Sequence, residues 1–414
     1  MINKLAIDGG TAIRTDPMPA RGLIGSEEKK AAMDLFDEVI SKGNAIVYGG
    51  PAEKQYEKDF VEFMGGGFAD GVNSGTNAVF AALGGLKLDA LSEVIVPPIT
   101  DPGGIMPVLF AGCVPVVADS DVRSYNICAE TIEPLITDRT KAVIVAHIAG
   151  EPADMDPIMA LAKKHGLYVI EDCAQAHGAK YKGRLVGTIG DIAAFSTMFG
   201  KHHCTGGQGG VVYTRNETLH WQARRYADRG KPFNIDATSN VAAGLNCNLN
   251  DLSAVIGSAQ IKKLPTMIAR RRKIGAAIKE GLAGCKAVSM GWQCSDSEPA
   301  YWFIRLKLDR SKIVVGKEEF CKALEAEGIS NITPSYRHIP CEAEWFKNKA
   351  VFGNSGFPWN CSDYKGNRNP QIRIDNALQA IDEHFNFFIN ENYGQKEIDD
   401  IIAIIKKVEK AYLR

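Results

Sequence analysis

Between about residues 70 and 215, short runs of β-branched residues alternate with longer stretches whose apolar positions recur at helical spacing. That alternation predicts a parallel sheet covered by helices. Strands are expected at Val94-Ile95-Val96, Ala142-Val143-Ile144-Val145, Tyr168-Val169-Ile170 and Val211-Val212-Tyr213. One intervening helix is punctuated at both ends. Asp156 is placed as its cap, Pro157 at its first position, Ile158, Leu161 and Ala162 on one face, and Gly166 just past its end. The next strand, Leu167 to Ile170, runs into Glu171-Asp172, at the carboxyl end where such sheets collect ligands.

Farther along, a helical stretch from Leu252 to Ala259 is followed by Pro265 and the basic run Arg270-Arg271-Arg272, after which the composition loosens. This predicts a large domain over 1–270, carrying the N-terminal segment, and a smaller C-terminal domain over 271–414. The tail from Glu397 to Tyr412 sets Ile398, Ile401, Ile402, Ile405 and Val408 at helical spacing, a core or interface stripe. With 414 residues and 45% hydrophobic content, the chain has apolar material for both cores.

Charge changes the picture by exclusion. Forty-eight basic against 49 acidic residues, a net of −1, leave no electrostatic footprint for nucleic acid or an anionic membrane. Nowhere do eighteen apolar residues run together, and the opening Met1 to Asp8 has no apolar core behind a basic start, so a cytoplasmic protein is expected. The ten cysteines are scattered without a C-x-x-C pair, which predicts reduced thiols and no metal site.

Three segments carry candidate chemistry. Asn73-Ser74-Gly75-Thr76-Asn77 opens a helix with small hydroxylated residues, either an ordinary cap or an anion site made of free backbone N–H groups. In Val169 to Gly178 a buried strand ends on Glu171-Asp172 before Cys173-Ala174-Gln175-Ala176-His177-Gly178. Asp172 can cap the turn or hold a pyridinium nitrogen protonated. In Asp191 to Gly210, Lys201 stands between an apolar strand and a glycine-rich turn, so partial burial can lower its pKa and free the amine for covalent chemistry. Gly200-Lys201 is not a phosphate loop, because Phe195 occupies the first glycine position and His202 replaces the hydroxyl. Gly206-Gly207-Gln208-Gly209-Gly210 precedes a strand, unlike a dinucleotide fingerprint.

Taken in order, these segments resemble the DegT/StrS family of pyridoxal 5′-phosphate (PLP)-dependent sugar and cyclitol aminotransferases. Further landmarks are Ile7-Asp8-Gly9-Gly10-Thr11 and the A-x-x-G-x-x-Q run ending at Gln260. The resemblance implies the α/β fold type I architecture of PLP-dependent transferases, a large domain with a mostly parallel sheet sandwiched by helices plus a smaller α/β domain. It implies Lys201 as the lysine that holds PLP and shuttles a proton, Asp172 on the pyridinium nitrogen, and Gln175 on the cofactor's 3-hydroxyl. Ser74, Gly75, Thr76 and Ser196 would bind the phosphate, with Asn246 contributed by a partner subunit, hence a homodimer with shared sites. The donor would be glutamate or glutamine, and the acceptor a ketone on a sugar, nucleotide-sugar or cyclitol, exchanged by a ping-pong route.

Departures from the family pattern fall mainly on the substrate side. Asp101 follows Thr100 where a ring-stacking aromatic is usual, and N-Y-R reads Asn246-Cys247-Asn248. Tyr336-Arg337-His338 is the best match for the substrate-side histidine region, making Tyr336 and His338 substrate-side candidates together with His202. His202 and His203 are either acid–base groups or turn residues. Arg224, Arg225, Arg229 and Lys231 form a solvated helix face or meet a substrate phosphate. Two other readings stay open: a PLP-dependent ketosugar dehydratase, and a regulatory homologue that binds PLP without turnover.

Overall fold

The computed structural model describes residues 4–414; Met1, Ile2 and Asn3, which begin both the opening segment and the expected large domain, lie outside the described residues. Seven strands form the central sheet: β1 (Phe68–Val72), β2 (Glu93–Val96), β3 (Val114–Val117), β4 (Thr140–Ala146), β5 (Tyr168–Asp172), β6 (Ile192–Ser196) and β7 (Gly210–Thr214). Their spatial order is β1-β7-β6-β5-β4-β2-β3, and only β7 runs against the rest. All four expected strands are present.

Alternation along these strands feeds two cores. Val94, Val96, Ile144 and Ile170 pack on one face of the sheet, and Ile95, Val143, Val145 and Val169 on the other. Burial on both faces explains why the strands read as continuous apolar runs. Helix α1 (Gly75–Leu86) lies on the first face with Ala78, Val79, Ala81, Ala82 and Leu83 buried. The punctuated helix α2 spans Met155–His165 and ends on Gly166 at φ 65°, as expected, but Asp154 occupies the capping position. Asp156 instead pairs with Lys182 and Arg184.

A second sheet is built from β8 (Val288–Met290), β9 (Ile304–Leu308), β10 (Ile332–Thr333) and β11 (His384–Phe387), antiparallel throughout in the order β8-β9-β11-β10. Its core takes Ile398, Ile401, Ile404, Ile405 and Val408 from the tail helix Gln395–Tyr412.

Residue 270 falls inside a single helix, α3 (Asp251–Gly281), which continues through Pro265 because Ile261, Leu264 and Ile268 are all anchored in the core. Two segments also cross the expected 1–270 and 271–414 division. Leu5 packs in the second sheet's core, the Ala6 amide donates to Glu327, and Arg14 pairs with Asp400 and Glu397. In the other direction, Cys341, Phe346, Trp359 and Tyr364 pack on the large sheet, and the Tyr364 hydroxyl donates to Glu93.

Candidate active site

The carboxyl ends of β5 and β6 lie side by side, with Asp172 opposite Ala194 in register and Ser196 two residues beyond. Asp172 is 7% exposed. One carboxylate oxygen accepts the Ala174 N–H at 3.0 Å, while the other faces Gly104, where an added Cβ would lie 3.0 Å away. Burial pushes the Asp172 carboxyl up, offset by the Ala174 N–H and by the Lys201 charge.

Lys201 is 6% exposed and its ammonium lies 3.9 Å from the centroid of the Trp302 ring. Burial lowers its pKa to about 8, against the opposing pull of Asp172 and Asp101. A neutral amine is therefore accessible close to physiological pH.

Helix α1 begins beside this pair. The Ser74 hydroxyl accepts the Asn77 N–H at 3.1 Å, leaving the first-turn N–H groups of Gly75 and Thr76 without an acceptor inside the helix. Glycine is required at 75, since a Cβ there would sit 2.5 Å from the Ser196 side chain. Ser196 and the helix start thus make one small cradle. Asp101 caps the loop that covers it, accepting the Gly103 N–H at 2.9 Å, and a Cβ on Gly103 would run into the Thr76 hydroxyl.

Gln175 ties this cluster to Tyr336, three residues past β10. Its carbonyl accepts the Ala149 N–H at 2.9 Å and its amide donates to the Tyr336 hydroxyl at 2.9 Å. Tyr336 packs against Tyr125 and Phe303, and the exposed His338 stands edge-on to it at 6.0 Å. The structure therefore gathers Ser74, Gly75, Thr76, Asp101, Asp172, Gln175, Ser196, Lys201, Tyr336 and His338 into one cluster.

Other candidates lie outside this cluster. His202, placed on the substrate side, is wholly buried and hydrogen-bonded to the Ala300 carbonyl at 3.2 Å, because the chain turns inward after Lys201. His203 is also a packing residue, sharing a 3.0 Å contact with His177 and a 2.9 Å contact with the Tyr56 hydroxyl. Asn246 is exposed, accepts from the Asn248 amide at 2.7 Å and makes no hydrogen bond to this cluster within the chain. Arg224 is engaged by Glu57 and Asp70, Arg229 and Lys231 by Asp228, and Arg225 by the Phe233 carbonyl.

Two site residues were not foreseen. Trp302 forms the wall against Lys201 and donates its indole N–H to the Gly200 carbonyl at 3.1 Å. Arg21 donates to the Lys201 and His202 carbonyls at 2.7 and 2.9 Å. The aromatic run Tyr301-Trp302-Phe303 was a signal for the first; nothing in the sequence around Arg21 singled it out.

The profile of the DegT/DnrJ/EryC1/StrS aminotransferase family matches residues 26–354. The chain is 34% identical over 282 residues to the GDP-perosamine synthase of Escherichia coli O157:H7, covering 68% of this chain and 74% of that one. It is 32% identical over 354 residues to the L-glutamine:2-deoxy-scyllo-inosose aminotransferase of Streptomyces lividus, 82% of each. The solved aminotransferase from Psychrobacter cryohalolentis superposes with a TM-score of 0.82 at 30% identity, covering 96% of this chain and 100% of that one.

Proposed function

The chain belongs to the DegT/DnrJ/EryC1/StrS aminotransferase family, and from that premise we propose that it holds PLP on Lys201 and moves an amino group from glutamate or glutamine to a ketone on a sugar, nucleotide-sugar or cyclitol. The observation that carries this reading is the buried pair of Lys201 and Asp172 beside the helix start at Gly75 and Thr76.

The residues present fit the cofactor. A phosphate suits the Gly75 and Thr76 amides with the Ser74 and Ser196 hydroxyls, where the helix N-terminus favours an anion. The Asp172 oxygen that faces Gly104 suits a pyridinium N–H, and a cation there offsets the burial that raises its pKa. Gln175 suits the 3-hydroxyl. When bound, PLP supplies an electron sink for the substrate carbon next to nitrogen.

The chain's own residues do the rest. Asp172 keeps the ring nitrogen charged. The Lys201 Nζ, neutral above about pH 8, takes a proton from the donor carbon and returns one at the acceptor carbon. Trp302 and Tyr336 exclude water from that side. Donor and acceptor use the site in turn, so ping-pong kinetics are expected. The burial of His202 leaves no acid–base histidine next to Lys201, which weighs against the dehydratase alternative.

A homodimer sharing Asn246 is part of the proposal. Met33, Phe36 and Ile40 are exposed at i, i+3 and i+7 along helix Ser26–Lys42, and Leu245 beside Asn246 is exposed as well, a pattern that supports a second copy. Among the described residues no helix is long and apolar enough to cross a membrane, and all ten cysteines are unpaired, in keeping with a cytoplasmic site. Mixing Lys201→Ala with Asn246→Ala subunits tests the sharing. Activity regained in the mixture, from dimers with one intact site, is expected; none regained contradicts it.

A further inference from the structure

The N-terminal segment is tied to the second sheet's domain at one end and to the lysine loop at the other. Arg14 fixes the first end through Asp400 and Glu397. Farther along, Asn390 donates to the Pro19 carbonyl at 2.9 Å and Asn392 to the Arg21 carbonyl at 2.6 Å. This delivers the Arg21 guanidinium beneath the Lys201 loop, where its five N–H groups meet four acceptors. One terminal nitrogen donates to the Lys201 carbonyl at 2.7 Å and the Gly200 carbonyl at 3.3 Å, and the other to the His202 carbonyl at 2.9 Å. Its Nε donates to Glu391 at 3.0 Å.

Glu391 lies just past β11 and also pairs with Arg271 of α3 at 2.9 Å. Burial alone would raise the Glu391 carboxyl, but Arg271 and Arg21 together hold it below its usual range, so it stays ionised. A planar fork with five donors can span three consecutive carbonyls and a carboxylate; an ammonium cannot. Gly200, Lys201 and His202 belong to no strand or helix, so these carbonyls would otherwise have few partners.

We propose that Arg21 is a positioning residue for the amino transfer, clamping the backbone of Gly200, Lys201 and His202 so that the Lys201 amine is held against Trp302, with Glu391 linking that clamp to the second sheet's domain. The inference rests on Lys201 being the reacting amine. Arg21 itself touches neither cofactor nor substrate in this account.

The test measures the amine directly. Full-length protein stripped of PLP is reductively methylated with formaldehyde and cyanoborohydride at pH 7.5, and modification at Lys201 is followed by peptide mass. Arg21→Met is expected to speed Lys201 labelling by about tenfold, Arg21→Lys to fall between, and added guanidinium to bring Arg21→Met back toward wild type. Arg14→Met breaks the other anchor of the same segment, and is expected to lower the melting temperature while leaving Lys201 labelling unchanged. Equal labelling in wild type and Arg21→Met, or the same change in Arg14→Met, would overturn the proposal. If Arg21→Met does not fold, the Arg21→Lys comparison decides between the same outcomes. A parallel PLP titration separates the two claims: wild type that never acquires a visible absorbance band sinks the PLP reading, while the labelling still decides the role of Arg21.

Discussion

The two sides of the residue cluster are built in different ways. On the proposed cofactor side the groups supplied within the chain come from short local motifs: Ser74 to Thr76 at one helix start, Asp172 and Gln175 across one strand end, Ser196 and Lys201 across the next. On the proposed substrate side the partners are distant in sequence. Tyr336 meets Gln175 across 161 residues, and Trp302 meets Gly200 across 102. The residues proposed for the shared cofactor lie at strand ends and one helix start, whereas those proposed for the ketone reach the same cluster from residues 302 and 336.

The comparison predicts a graded loss. Lys201→Ala should lower turnover by about 10⁴-fold or more, since covalent attachment and proton transfer are both removed. Asp172→Asn should cost about 10² to 10³-fold in kcat, measured in single-turnover experiments with donor, because a preorganised charge is lost. An effect of Asp172→Asn confined to KM would break the assignment of Asp172 to the cofactor side. Tyr336→Phe should act more weakly, raising the acceptor KM by about three- to tenfold through one lost hydrogen bond. It should leave the donor half-reaction intact. If Tyr336→Phe impairs both halves equally, the division between the two sides fails.

A stability measurement sharpens the same contrast. His203 is held at about 3 by burial and by the Arg21 charge, and burial likewise lowers His177 and His202 well below their usual value. All three pack beneath the lysine loop. Their pKa values are lower folded than unfolded, so the unfolded chain binds more protons below pH 6.5. The contribution of these histidines to stability is then flat above that pH and falls as pH drops toward 3, by up to about 1.4 kcal/mol per pH unit for each histidine. Denaturant midpoints of wild type and His203→Gln at pH 7.5, 6.5 and 5.5 check this: because Glu53 and Asp70 titrate in the same window with the opposite sign, the difference between the two proteins carries the test, and it should shrink as pH falls.

Much of the fold could be read from the chain because β-branched runs and helical spacing report directly on a sheet buried on both faces. The four strands and the tail helix follow from that pattern. The domain division did not, because Pro265 stops a helix only where packing fails to hold it, and here Leu264 and Ile268 do hold it. The segment from Cys341 to Ile381 returns to the large sheet through Trp359 and Tyr364, side chains whose partners no local spacing announces. In the site, E-D-C-A-Q-A-H-G and the Ser196 to Lys201 spacing pointed to the cradle, while Trp302 and Arg21 reach it only through tertiary contacts. His202 shows the limit of adjacency: a neighbour of Lys201 in sequence, it is bonded to the Ala300 carbonyl rather than to any group of the cluster.

The central claim is that Lys201 holds PLP and passes an amino group through it. Its most direct test is the absorbance spectrum of the purified protein with PLP, before and after glutamate or glutamine, alongside Lys201→Ala. A visible band present in wild type, lost on adding donor and absent from the variant, is the predicted result. A folded wild-type protein that shows no such band, or a variant whose spectrum responds to donor in the same way and turns over, would contradict it.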